Sequence, residues 1–209
     1  TMTESVAIVQ SEIKTLFAGD ASGHDYWHTL RVYRLARRLA EAYPCDETLV
    51  ALAALLHDAD DPKLFSGNDY RNTRRILKKA AISEEMTANI ISIISQVSFH
   101  GTDSIAPDSL EGKIVQDADR LDALGAIGIA RTFAYGGSRG RAMFDPTEAP
   151  ALGLSSEAYH NHKGSSLHHF FEKLFTLKDL MNTEAAKVIA EQRERFLWDF
   201  VIEFYDEWF

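Results

Sequence analysis

The amino-acid sequence predicts an all-α protein, on three observations. Apolar residues recur at helical spacing almost throughout, as in Leu30, Tyr33, Leu35, Leu39 and Tyr43, or Leu49, Leu52, Ala53 and Leu56. A period of 3.6 residues gathers such positions on one face. Alternation with a period of two, the mark of a half-buried strand, is nearly absent. Breakers and caps also fall where helices should stop or start: Pro44, Pro62 and Pro107, and Ser83 with Glu85 two residues on.

Helices are expected at about 3–18, 25–43, 46–59, 69–80, 83–98, 109–134, 155–182 and 184–207. The second is strongly amphipathic and has His28 near its start. The third is apolar until it ends in His57, Asp58, Asp60 and Asp61, and Pro62 stops it. The fifth takes Ser83 as its cap, and the sixth begins just after Pro107. Between the sixth and seventh lies Gly136 to Gly153, with four glycines, two prolines, Arg139 and Arg141. This is long for a structureless connection, and it reads either as a functional loop or as a surface excursion. The last helix carries Phe196, Trp198, Phe200, Phe204, Trp208 and Phe209 on more than one face. Two readings apply: packing against the body of the domain, or a homodimer surface.

Composition narrows the function classes. The 209 residues fit one domain, which is the expectation. Hydrophobic residues at 45% and charged residues at 25% are the balance of a folded chain. No run approaches the ~18 apolar residues of a membrane span. The sequence also lacks the basic, apolar and small-residue pattern of a secretory leader, so no membrane partner and a cytoplasmic address are expected. A formal net charge of −9 argues against a polymeric nucleic acid, whose binding needs many phosphate-neutralising Lys and Arg. A small anionic substrate would need local positive charge or a metal. Cys45 is the sole cysteine, so any metal must be held by His and carboxylate rather than by paired thiolates.

Three segments carry candidate chemistry. In ALAALLHDADD, from Ala51 to Asp61, polar groups arrive at the end of an apolar helix. Groups there need partners, and a cation suits imidazole and carboxylate together. Alone, His57 also reads as a satisfied core histidine and Asp58 as a turn residue. In GHDYWHTLRVYRLARRLA, His24 and His28 stand four apart and share a helical face. In KIVQDADRLDALGAIGIA, Asp117, Asp119 and Asp122 sit among Ile, Val, Leu, Ala and Gly. Buried unpaired, each would cost several kcal/mol, which a dication, Arg120 or Lys113 would offset.

These residues, in this order, resemble the HD-domain phosphohydrolases, whose pattern is a His, later an adjacent His-Asp, and then a distant Asp. The resemblance implies a compact helical HD-domain core over about 20–135, with C-terminal helices at about 155–207 packed on it. It implies His28, His57, Asp58 and Asp119 as metal ligands. Asp119 is chosen because relatives such as the guanosine-tetraphosphate hydrolases commonly read Ala-Asp-Arg-Leu there; Asp117 is the reserve. The run Gly112 to Arg131 and the later HHFFEKLFTLKDLM from His168 extend the likeness to small bacterial HD proteins. Some of these look like manganese-dependent nucleoside triphosphate pyrophosphohydrolases.

The expected activity is metal-dependent hydrolysis of a small phosphorylated substrate, a nucleotide in the leading reading. The alternatives are a 5′-nucleotidase or phosphodiesterase, or a catalytically silent nucleotide sensor. Two imidazoles and two carboxylates suit Mn²⁺, Fe²⁺, Co²⁺, Ni²⁺ or Mg²⁺, and the resemblance favours manganese. Asp61, three residues after Asp58, is the candidate general base, since several HD relatives carry an acid there; a solvated turn residue is the plain alternative. His24, His100, Arg139, Arg141, His169 and Lys173 are candidate substrate contacts. Arg suits phosphate oxygens, and the resemblance implies that His100, where relatives often carry a cationic residue, and His169 and Lys173, one helical turn apart, face the pocket. Solvated charges and turn or helix-start histidines are the plain readings of this last group.

Overall fold

A computed structural model of the chain describes residues 1–20, 25–98 and 104–209. Among them are ten α-helices and two 3₁₀ turns, with no strand, so the fold class is the one the sequence predicts. No helix among the described residues is long and apolar enough to cross a membrane. The chain separates into two compact units. One comprises Thr1–Ser98 and Ala106–Asp119, and the other is built mainly from Arg120–Phe209.

In the first unit, α1 (Met2–Leu16), α2 (Tyr26–Ala40), α3 (Glu47–Leu56), α4 (Arg71–Lys79) and α5 (Glu84–Val97) precede α6 (Leu110–Leu121), which crosses into the second unit after Asp119. The caps are side chains that accept from otherwise orphaned amides. Asp25 accepts from His28 N at 2.9 Å, Asp46 from Thr48 N and Leu49 N at 3.1 and 3.0 Å, and Ser83 from Met86 N at 3.2 Å. Helix α3 packs against α1, α2 and α5, and every residue from Leu49 to Leu56 is buried. Its four fully buried large side chains, Val50, Leu52, Leu55 and Leu56, contribute about 6–12 kcal/mol of burial before ordering entropy is counted. A helix buried from Leu49 to its last residue offers chemistry chiefly at its C-terminal end.

In the second unit, α7 (Gly125–Ser138), α8 (Ser156–Asn161) and α9 (Ser166–Glu172) lead through 3₁₀ turns at Leu174–Thr176 and Lys178–Leu180 to α10 (Glu184–Trp208). Helix α7 packs on α9 and α10. Phe133 meets Phe170, Phe200 and Phe204 with ring centroids 5.8–6.3 Å apart, and Trp198 stacks on Phe175 at 4.0 Å. The terminal aromatics therefore divide: Phe200 and Phe204 pack within the unit, while Phe196 and Phe209 are exposed.

Two long helices expected from the sequence are broken. The expected 109–134 helix ends at Leu121, because Ala123 N and Leu124 N turn back to the carbonyls of Arg120 and Leu121 and Gly125 takes a φ of +73°. Arg131 Nη1 holds the break, bonding both the carbonyl and the carboxylate of Asp122 at 3.2 Å. The expected 155–182 helix is interrupted at Gly164. There, His162 Nε2 pairs with Glu172 Oε2 at 2.8 Å, and a Cβ on Gly164 would lie 2.7–2.8 Å from both partners. Ser165 then caps α9. The Gly136–Gly153 segment is helical through Ser138 and afterwards tied down: Ser166 N and Leu167 N donate to Ala142 O and Met143 O at 3.0 and 2.9 Å, and Phe144 is buried.

Candidate metal centre

Helix α3 ends at its C-cap, His57, and the chain leaves it through a tighter turn, with Ala59 N bonded to Leu56 O at 3.0 Å. This delivers His57 and Asp58 together from the buried helix end. His28 comes from the first turn of α2, fixed by the Asp25 cap on its own amide, and is 1% exposed. Asp119 comes from α6 with its side chain 27% exposed. The mouth of the cluster is therefore on the Asp119 side.

Four donor atoms converge. His28 Nε2 lies 3.3 Å from His57 Nε2, 3.3 Å from Asp58 Oδ2 and 3.3 Å from Asp119 Oδ1. His57 Nε2 lies 3.3 Å from Asp58 Oδ2 and 3.2 Å from Asp119 Oδ1. Donors about 2.0–2.2 Å from one ion and about 90–110° apart would stand roughly 2.8–3.6 Å from each other. The donor atoms of His28, His57 and Asp119 all lie within 4.8 Å of one another and have the size of a coordination shell. Asp58 Oδ2 stands against both histidines, and nitrogen and oxygen donors suit a borderline or hard divalent ion. His57 Nδ1 lies 2.7 Å from the Ala54 carbonyl, which only accepts, so Nδ1 carries a proton and Nε2 is the nitrogen turned toward the cluster.

Electrostatics point the same way. Burial alone would push the His57 imidazolium down, yet Asp58 and Asp119 raise it well above the ordinary histidine range. Burial would likewise raise the Asp119 carboxyl, but His57 and His28 hold it well below the usual carboxylate range. Both shifts favour positive charge beside these carboxylates, the electrostatic setting that suits a cation.

The structure gathers His28, His57, Asp58 and Asp119 and separates the two aspartates of α6: Asp119 faces the histidines, while Asp117 is fully buried. Asp61 follows in the same turn, its amide bonded to Asp58 O at 3.2 Å, and its Oδ1 accepts from Lys63 N at 2.8 Å. The α-helix does not continue to Asp61. His24 and His100 lie outside the described residues. In the second unit, the guanidinium groups of Arg139 and Arg141 both sit over the Tyr135 ring, at 5.3 and 5.5 Å. His169 and Lys173 are one turn apart, Lys173 N bonding His169 O at 2.9 Å. The sequence reading assigned no role to the Ala54 carbonyl, Asp60 or Asn72. For Asp60 the available signal was a carboxylate upstream of a helix that begins Tyr70-Arg71-Asn72 with no capping residue of its own.

Comparison with known proteins agrees with this geometry. The family described as HD domain matches residues 26–124. YpgQ of Bacillus subtilis is 36% identical over 200 residues, covering 92% of this chain and 88% of that protein. The crystal structure of YpgQ in complex with ADP superposes with a TM-score of 0.77 over 99% of this chain and 96% of that one, at 31% identity. A Lactobacillus plantarum protein of 40% identity superposes with a TM-score of 0.89 over 100% of this chain and 98% of that one. An HD-superfamily hydrolase from Bacillus thuringiensis, 41% identical, has a TM-score of 0.76 at the same coverage. The chain belongs to the HD-domain superfamily of metal-dependent phosphohydrolases.

Proposed function

We propose that this chain hydrolyses a nucleotide at a divalent ion held by His28, His57, Asp58 and Asp119, releasing pyrophosphate from a nucleoside triphosphate. The carrying observation is that His28 Nε2 and His57 Nε2 lie 3.3 Å apart and each stands 3.2–3.3 Å from a carboxylate oxygen of Asp58 and of Asp119. The ADP complex of YpgQ supports a nucleotide as the ligand class.

A bound divalent ion supplies Lewis acidity, lowering the pKa of a coordinated water and polarising a phosphoryl oxygen. His28 and His57 give their Nε2 lone pairs, and the Ala54 carbonyl keeps His57 in the tautomer that allows this. Asp58 and Asp119 balance the charge. Asp61, in the turn that follows, is the candidate to take the proton from the attacking water at its carboxylate. Manganese is the favoured ion. Arg139, Arg141, His169 and Lys173, with His24 and His100, are the candidates for binding phosphate oxygens, which cationic and imidazole donors suit.

Purified protein supplemented with Mn²⁺ and offered nucleotides and phosphoesters, with products read by phosphorus NMR, tests the proposal. Pyrophosphate with a nucleoside monophosphate is expected. Inorganic phosphate from a monophosphate would overturn the assignment in favour of a nucleotidase. No turnover of any compound, together with retained nucleotide binding, would favour a silent sensor.

A further inference from the structure

Beyond the donor atoms, one set of contacts in the first unit reaches the His57-Asp58 turn from a separate helix. Asp60 lies two residues after Asp58. Its Oδ1 accepts from Asn72 N at 2.8 Å and its Oδ2 from Thr73 N at 2.9 Å. These are the second and third amides of α4, a helix whose own N-cap residue, Tyr70, makes no side-chain cap and sits in the left-handed region at φ 55°. In return, the Asn72 side chain donates Nδ2–H to the Ala59 carbonyl at 2.8 Å. That carbonyl lies just past Asp58, where α3 has already given way to a turn and offers no helical donor.

The contact is therefore reciprocal. Asp60 caps α4, and α4 sends Asn72 back to satisfy the turn. Both bonds from Asp60 are charge-assisted, and Ala59 is fully buried. A buried carbonyl calls for such a donor, and without it the turn could settle into other arrangements. We infer that Asp60 and Asn72 are positioning residues that clamp the His57-Asp58 turn in the geometry the metal requires, with no contact to metal or substrate of their own. The inference rests on the metal centre proposed above and adds the residues that hold it.

The two side chains separate experimentally, because Asn72→Ala removes only the tether to Ala59 and leaves both backbone amides on Asp60. Mn²⁺ affinity is measured by electron paramagnetic resonance on Asn72→Ala, Asp60→Ala and Asp60→Asn. The control is Ser83→Ala, which deletes an ordinary cap at α5 in the same unit. Hydrogen exchange across Ala59–Asp61 is read in the metal-free proteins. Asn72→Ala and Asp60→Ala should each weaken Mn²⁺ binding by about tenfold or more and speed exchange in that turn. Asp60→Asn, which keeps one acceptor oxygen, should fall between, and Ser83→Ala should match the wild type in both readings. Wild-type Mn²⁺ affinity in Asn72→Ala and Asp60→Ala overturns the clamp, as does a loss equal to that of Ser83→Ala. Failure of the wild type to bind Mn²⁺ would instead sink the metal centre, and the clamp's role with it.

Discussion

At His57 the two ring nitrogens are committed in opposite directions, Nδ1 to the Ala54 carbonyl and Nε2 to His28, Asp58 and Asp119. In the metal-free protein the carboxylates keep this imidazole protonated well above its ordinary range, so a metal ion must displace a proton. Apparent Mn²⁺ affinity should then strengthen about tenfold per pH unit, for as long as the pH lies below the raised His57 value; titration calorimetry in buffers of different ionisation enthalpy would count the proton released. Stability of the metal-free protein carries the same signs. The His57 contribution is present below the ordinary histidine range and fades as pH rises through the raised value. The Asp119 contribution is present above the ordinary carboxylate range and fades as pH falls through the lowered one. A second outcome follows from the placement of the α6 aspartates: Asp119→Ala should abolish metal retention by elemental analysis, while Asp117→Ala should reduce it less. The candidate ligands His57 and Asp58 stood out at the end of an apolar run, while Asp119 was set apart from Asp117 only by the resemblance to HD relatives. Asp60 and Asn72 were not legible, since what they do depends on a contact between the turn after α3 and the start of α4, which no spacing announces.

Helix positions were legible where a cap and periodicity agreed, as at Ser83; the caps at Asp46 and Asp25 came from the structure. The breaks at Asp122–Leu124 and Gly164 were not legible, because they depend on partners far along the chain: Arg193, whose Nη1 bonds Leu121 O at 2.6 Å, and Glu172. The glycines of α7 test this directly. A Cβ on Gly128 would lie 2.2 Å from the Ala123 carbonyl oxygen, backbone against backbone, so no side-chain rotation relieves it. Gly128→Ala should cost about 2–4 kcal/mol in urea unfolding. Nothing lies within 4 Å of a Cβ on Gly137, near the end of the same helix, so Gly137→Ala should instead stabilise by up to about 1 kcal/mol.

For the molecule as a whole, a formal charge of −9 leaves a divalent ion as a welcome addition rather than a burden. An ion that binds only the folded chain stabilises it by mass action, about 2.7 kcal/mol at a hundredfold excess over its dissociation constant. For a chain of this size that corresponds to a rise in Tm of about 5–10 °C, which calorimetry with Mn²⁺ and then with EDTA should show and reverse. The all-α class was legible at this scale because periodicity is a property of the entire chain. The grouping into two compact units was not, since the boundary after Asp119 falls inside α6, where composition does not change. The enclosure of α3 has one more consequence. Because every residue of that helix from Leu49 to Leu56 is buried and the chain then delivers His57 and Asp58, loosening of the oily interior should tilt the grip on the cation. Occupancy would then act as a gauge of interior order, and substitutions that hollow out that interior should loosen the hold on the ion.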